Sequence, residues 1–238
     1  DRAIKKCASA IAKHSILIKG KEHNKTIDDT YLLIGNAYFY KRDFIKAIEA
    51  YSFTAKQFEG LYTAYQANIN LAKAYVLNKD FVSADLVFDQ LLSDENFPMK
   101  LNKDLSLAYA DYYLQKGELV LCIEELKSAL SDASKKKEKV RYSYILAQLY
   151  FELENYSEAS KYFKSVIKKG ASYDFEFNAK INLARSYDVS KGNNQEIEAE
   201  LKKMIKDKKN KEYLDVIYFG LAELQIRQNQ KENAIDLY

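Results

Sequence analysis

Residues 71–88 read Leu71-Ala72-Lys73-Ala74-Tyr75-Val76-Leu77-Asn78-Lys79-Asp80-Phe81-Val82-Ser83-Ala84-Asp85-Leu86-Val87-Phe88. A small residue at Ala72 and an aromatic at Tyr75 share one helical face. Asp80 then Phe81 mark a tight turn and a large apolar re-entry, and Ala84 and Phe88 share a face of the next helix. The order recurs. Upstream stand Tyr31, Ile34-Gly35 and Tyr38, then Asp43-Phe44, then Ala47 and Tyr51. Downstream stand Tyr109-Ala110 and Tyr113, then Glu118-Leu119, then Cys122 and Leu126. A fourth copy has Leu146-Ala147 and Tyr150, then Asn155-Tyr156, then Ala159 and Phe163. Gly35, Ala72, Ala110 and Ala147 are separated by 37, 38 and 37 residues, a regularity that defines a repeat.

A fifth unit opens with Leu183-Ala184 and Tyr187, and its second helix fits after a one-residue shift through Ile197, Leu201 and Met204 or Ile205. A sixth runs from Tyr218 and Leu221-Ala222 to Ala234 and Tyr238. Ala3, Cys7 and Ala10 read as the second helix of a repeat whose first helix lies upstream. The expected arrangement is a single solenoid segment of a longer protein. It comprises a partial repeat at 1–25, repeats at about 28–60, 65–97, 103–134, 140–170 and 177–209, and a truncated one at 215–238.

Composition agrees. One proline and seven glycines in 238 residues are too few for the turns of a sandwich or barrel. No glycine-rich phosphate cradle can be written from glycines so far apart. With 37 Lys and Arg against 34 Asp and Glu, the chain lacks the basic excess of a nucleic-acid binder. Two cysteines are too few for a disulfide framework or a zinc site, and no apolar run is long enough to span a bilayer. No nucleophile, acid–base pair or metal constellation is visible, so neither a cofactor nor an enzyme activity is expected. His14, between Ile11 and Ile18, reads as a partly buried histidine, and His23 as a solvated one. Cys7 and Cys122 read as small core residues.

The repeated residues resemble the tetratricopeptide (TPR) repeat, a helix–turn–helix unit in which Gly or Ala permits close helix approach and Tyr or Phe fills the space around it. That resemblance implies an all-α fold, a right-handed α-solenoid of TPR-like repeats. Tyr31, Tyr38, Tyr51, Tyr75, Tyr109, Tyr113, Tyr150, Tyr156, Tyr187, Tyr218 and Tyr238 fall at its core positions. First-helix positions that line the groove of such repeats are Leu32, Asn36, Phe39 and Tyr40; Ile69, Lys73 and Leu77; Asp111 and Gln115; and Tyr144, Gln148 and Phe151. This mixed apolar and polar set suits a peptide or partner helix. Asn36 and Asn70 fit the clamp by which some such repeats grip a C-terminal carboxylate. Leu32 and Asp104 stand where that clamp needs bases, so that function is set aside. Lys135-Lys136-Lys137 and the run Lys202 to Lys211 read as solvated surface, with an acidic partner or an anionic lipid headgroup as the alternative.

One segment departs from the repeat. Ser15 to Lys25 is too long for a simple turn and reads as an extended helix end plus a loop, with the next helix starting around Thr26 to Asp29. Ile18, Lys21 and His23 are its candidate contact residues. The stretch Ala10-Ile11-Ala12-Lys13-His14-Ser15, then Ile18-Lys19-Gly20-Lys21-Glu22 and Ile27 to Gly35, resembles the SprE/PorW family of TPR lipoproteins in the Bacteroidota type IX secretion and gliding-motility machinery. The similarity is strong over roughly the first 60 residues and compatible beyond. It implies a non-catalytic scaffold at the periplasmic face of the outer membrane. Its lipid anchor would lie upstream, and its partners would be the translocon barrel and associated secretion subunits. The alternatives are a generic peptide- or chaperone-binding adaptor and a helical accessory domain of a larger enzyme.

Overall fold

The structure, a computed structural model, describes residues 1–187 and 194–237. The backbone divides into two compact units, Asp1–Ala129 and Leu130–Tyr238. Each is a series of antiparallel helix pairs. In the first unit α1 (Arg2–His14) precedes a short hairpin, β1 (Leu17–Ile18) and β2 (Lys21–Glu22). The pairs α2 (Ile27–Tyr40) with α3 (Phe44–Gln57), and α4 (Tyr62–Leu77) with α5 (Phe81–Ser93), follow. A 3-10 turn at Met99–Leu101 leads into α6 (Asn102–Lys116), and α7 (Leu119–Asp132) crosses the unit boundary. The second unit holds α8 (Lys136–Glu152) with α9 (Tyr156–Lys168), and α10 (Tyr173–Arg185) with α11 (Asn194–Lys206). A 3-10 stretch at Lys208–Tyr213 then leads to α12 (Leu214–Arg227) with α13 (Lys231–Ile235). Tyr238 lies outside the described residues, as do residues 188–193 of the fifth repeat.

The five described turns inside repeats share one construction. Arg42, Lys79, Gly117, Glu154 and Asn229 adopt a left-handed backbone, with φ of 63°, 64°, 78°, 56° and 61°. Each ends the first helix by donating its N–H to a carbonyl three residues back. The next residue donates to the carbonyl five back: Asp43 to Tyr38, Asp80 to Tyr75, Glu118 to Tyr113, Asn155 to Tyr150 and Gln230 to Gln225. This Schellman pair satisfies carbonyls the helix end would otherwise leave open. Asp43, Asp80 and Asn155 then cap the second helix, their side chains accepting the N–H of Lys46, Ser83 and Glu158 at 3.3, 3.1 and 3.2 Å. The capping carboxylate of Asp80 is held below the usual range, first by the hydroxyl of Ser83 and then by its backbone N–H.

The small residues fulfil their expected role. Ala47, Ala72, Ala84, Ala147, Ala159, Ala184 and Ala222 are fully buried. Gly35 is the tightest contact: a Cβ there would lie 2.5 Å from Tyr51 Cδ1 and Cε1. In the second unit a Cβ on Gly220 would meet Ile181 Cγ2 at 3.3 Å, where α12 packs on α10. Cys7 and Cys122 are buried, and burial raises the Cys122 thiol to about 11. Leu201 and Met204 are buried in the core of the fifth repeat, the shifted register read from the sequence.

Several details differ from the sequence reading. Tyr51, Tyr150 and Tyr187 are buried and most of the other signature tyrosines half-buried, but Tyr218 is exposed. Tyr112, outside the signature, is buried instead, edge-on to Phe81 and Phe88. His14 is exposed, because its place at the helix end carries it past the face that packs on α2. Ser15–Lys25 is not a plain loop. Leu17 pairs with Glu22 and Ile18 with Lys21 across a turn at Lys19 and Gly20, both of positive φ. The Glu22 carboxylate organises it, accepting from the Ser15 hydroxyl and from the N–H groups of Ile16 and Asn24 at 2.9 and 2.8 Å. Those bonds, led by Ser15, hold its pKa low.

Candidate partner-binding grooves

In the first unit α2 packs on α4 and α4 on α6; in the second α10 packs on α12, and side chains of α8 reach α10. In the first unit Leu32 is only 9% exposed and belongs to the core. It therefore leaves the groove set, since a branched aliphatic at that register packs between first helices, as Ile69 does. Asn36 Oδ1 accepts from the Tyr51 hydroxyl at 2.7 Å and from Asn70 Nδ2 at 3.2 Å, a bridge between α2 and α4. Phe39 is half-buried against Phe44, whereas Tyr40 is fully presented. Lys73 lines a small cleft of about 80 Å³ with Gln66, Ile69, Asn70, Leu101 and Asp104. Leu77, Asp111 and Gln115 are exposed, and Gln115 Oε1 accepts from Lys79 Nζ. On the hairpin, Ile18, Lys21 and His23 are all exposed.

The second unit's groove is built around a residue the sequence reading did not single out. The Arg185 guanidinium sits 5.2 Å from the Phe151 ring centroid and 5.4 Å from that of Phe219, so α8, α10 and α12 each supply one layer. Both rings are close enough for cation–π attraction. Arg185 also donates to Asn182 Oδ1 at 3.2 Å, while its Nε is buried with no hydrogen-bond partner. Asn182 Nδ2 in turn reaches the Tyr144 hydroxyl at 3.4 Å. Tyr144 packs edge-on against Phe163 and Phe175, and its burial raises the phenol's pKa. Gln148 is exposed beside this cluster on α8. Arg185 directly follows the small residue Ala184, as Gln148 follows Ala147 and Lys73 follows Ala72. That register was the available signal.

Two clefts of about 480 and 470 Å³ flank α10 and α11, within the size range of ligand pockets. Lys180 stands between them, bonded to Glu176 at 2.7 Å and Glu200 at 2.9 Å. Burial pulls its ammonium down, but the two carboxylates outweigh this and the pKa is raised. Lys203, Lys206 and Lys209 line the larger cleft. Among the described residues no group of three or more His, Cys, Asp or Glu is placed to hold a metal ion, and no helix is long and apolar enough to cross a membrane.

Comparison with known proteins agrees with this geometry. Profiles of the tetratricopeptide repeat match residues 32–98 and 140–168. No curated protein matches the sequence. Among solved structures, a tetratricopeptide repeat protein from Parabacteroides merdae superposes with a TM-score of 0.57 at 16% identity, over 88% of this chain and 77% of that one. The apo quorum sensor NprR from B. thuringiensis gives 0.60 at 16% identity, over 99% of this chain and 67% of NprR. Apo RapI gives 0.57 at 10% identity, over 89% of this chain and 64% of RapI. These likenesses extend over repeats that no profile matches. The chain is an all-α protein with the fold of tetratricopeptide repeat proteins, and residues 32–98 and 140–168 carry the repeat itself.

Proposed function

We propose that this chain is a non-catalytic scaffold that binds protein partners through its first-helix grooves, above all the one around Arg185. The observation that carries this is the guanidinium layered between Phe151 and Phe219. An arginine ordered by two aromatic faces is prepared to receive a carboxylate or backbone carbonyl, because less side-chain freedom is lost on binding. Exposed Gln148 beside it offers amide donors and acceptors to an extended or helical partner.

The finer reading is a subunit of the type IX secretion translocon at the periplasmic face of the outer membrane, anchored by lipid outside this segment. It is supported by the resemblance of residues 10–35 to the SprE/PorW lipoproteins, and by the rigid hairpin that Glu22 builds inside that stretch. Isolation of the translocon's large barrel subunit in mild detergent is expected to bring this protein with it. Its consistent absence would overturn the secretion role while leaving the groove reading intact.

A second reading is a peptide-binding adaptor in signalling. The likeness of fold to the quorum sensor NprR favours it.

A further inference from the structure

The second helices of the first unit carry a feature that repeat packing does not require. The residue that opens each second helix, Phe44, Phe81 or Leu119, is half-buried. The next residue turns out to solvent, and there the chain places Ile45, Val82 and Val120, which are 66%, 74% and 60% exposed. Their spacing is the repeat spacing, 37 and 38 residues, so the repeat geometry sets them in one row on α3, α5 and α7. Leu86, one turn beyond Val82, is 67% exposed and widens the row. Isolated exposed aliphatics are common on any surface, but these recur in register over three repeats. A β-branched residue gains nothing as an exposed helix position on its own. The corresponding positions of the second unit are Ser157 and Glu232, so the repeat itself does not demand an apolar residue there.

Beside this row runs a second one, of acids. Glu49, Asp85, Asp89 and Glu124 lie within about two turns of it on the same three helices, and all are exposed. The lysines adjoining the row are already engaged. Lys46 pairs with Asp43 at 3.4 Å, Lys116 with Glu118 at 3.3 Å, and Lys79 donates to Gln115. The face therefore combines exposed apolar residues with a border of exposed acids, of which Asp85 also accepts from the Tyr112 hydroxyl.

We infer that the second-helix face of the first unit, the row Ile45, Val82 and Val120 with its acidic border, docks a basic amphipathic helical segment of a protein partner. Aliphatic residues at helical spacing would cover the row, and lysines or arginines flanking them would meet Glu49, Asp85, Asp89 and Glu124. The site is separate from the first-helix grooves and does not depend on how they are used.

A direct test titrates the 238-residue chain against a labelled Leu/Lys peptide of about 18 residues patterned as an amphipathic helix. The controls are a scrambled peptide of equal composition and a Leu/Glu analogue. The patterned basic peptide is expected to bind about tenfold or more tightly than either. Val82→Glu with Val120→Glu, and separately Asp85→Lys with Asp89→Lys, are each expected to weaken it by about tenfold or more. Arg185→Gln should leave it unchanged. Circular dichroism and a urea melt check that the surface variants remain folded, and the charge-reversal pair tests the site should the apolar pair not fold. Equal binding of the scrambled peptide, preference for the acidic analogue, or insensitivity to both pairs would overturn the inference. So would self-association of the chain that Val82→Glu abolishes, since the occupant would then be a second copy.

Discussion

Tyr51 lies flat against the Cα of Gly35, leaving no room for a side chain between α2 and α3: a Cβ on Gly35 would approach its ring atoms to 2.5 Å. From that position the Tyr51 hydroxyl reaches Asn36 Oδ1 at 2.7 Å, and Asn36 is held in turn by Asn70. One small residue thus sets the separation of a helix pair and connects it to the next repeat. Gly35→Ala is expected to cost about 1–3 kcal/mol through overpacking. The check is the urea midpoint at unchanged slope. Ala72→Leu and Ala147→Leu, at the equivalent fully buried positions, should fall in the same range.

The left-handed turn residues give a prediction of opposite sign. Glu154 holds φ at 56° where the third repeat uses Gly117 at 78°. Glu154→Gly relieves about 1 kcal/mol of left-handed strain. Glycine's greater freedom in the unfolded chain offsets part of this, leaving a gain of roughly 0.5 kcal/mol. Gly117→Val, forcing a β-branched residue into the same conformation, should destabilise. A denaturant melt of the two variants against the parent chain tests both directions.

Asp80 couples the fold to pH. Its carboxylate pKa is lowered in the folded chain by the Ser83 hydroxyl and N–H. The ionised form is therefore the one folding favours. Its contribution is complete above the unfolded Asp value of about 3.9 and is lost as pH falls through the lower folded value. Asp80→Asn keeps a capping oxygen, as Asn155 does in the fourth repeat, but cannot titrate. Urea midpoints measured from pH 6 down to acid are expected to fall less steeply for Asp80→Asn than for the parent. Parallel curves would show that the Asp80 carboxylate does not carry this dependence.

Glu22 offers a local test of the hairpin. Glu22→Ala removes the acceptor for Ser15, Ile16 and Asn24 at once. Amide exchange of Ile16 and Asn24 should then accelerate, while that of Leu71 and Ala72 in α4 should not. Unchanged exchange at Ile16 would mean that the strand pairing alone holds the hairpin.

The repeat was legible because its positions are distinguished by chemistry: small residues where helices touch, aromatics around them, Asp or Asn where a helix begins. What escaped was set by geometry that residue type does not encode. Leu32 and Asn36 are four apart on one helix, yet only the packing of α2 against α4 shows that the first is core and the second a bridge. Two-residue strands are too short to show alternation, so the hairpin at Leu17–Glu22 has no period to read. Tyr112 carries no signature of burial, because Tyr109 and Tyr113 occupy the signature positions on either side of it. Arg185 has no signature of its own, because Phe151 and Phe219 come together around it only across three helices.

A recognition surface built on Arg185 in the second unit's groove can be tested directly. The most direct measurement selects peptides by display against the immobilised chain and titrates the best of them calorimetrically against the parent, Arg185→Gln and Phe151→Ala. The expected peptides carry a carboxylate among apolar residues, with affinity weakened about tenfold or more in each groove variant and unchanged in Val82→Glu. Peptides whose affinity is the same in parent, Arg185→Gln and Phe151→Ala would contradict a recognition role for this groove.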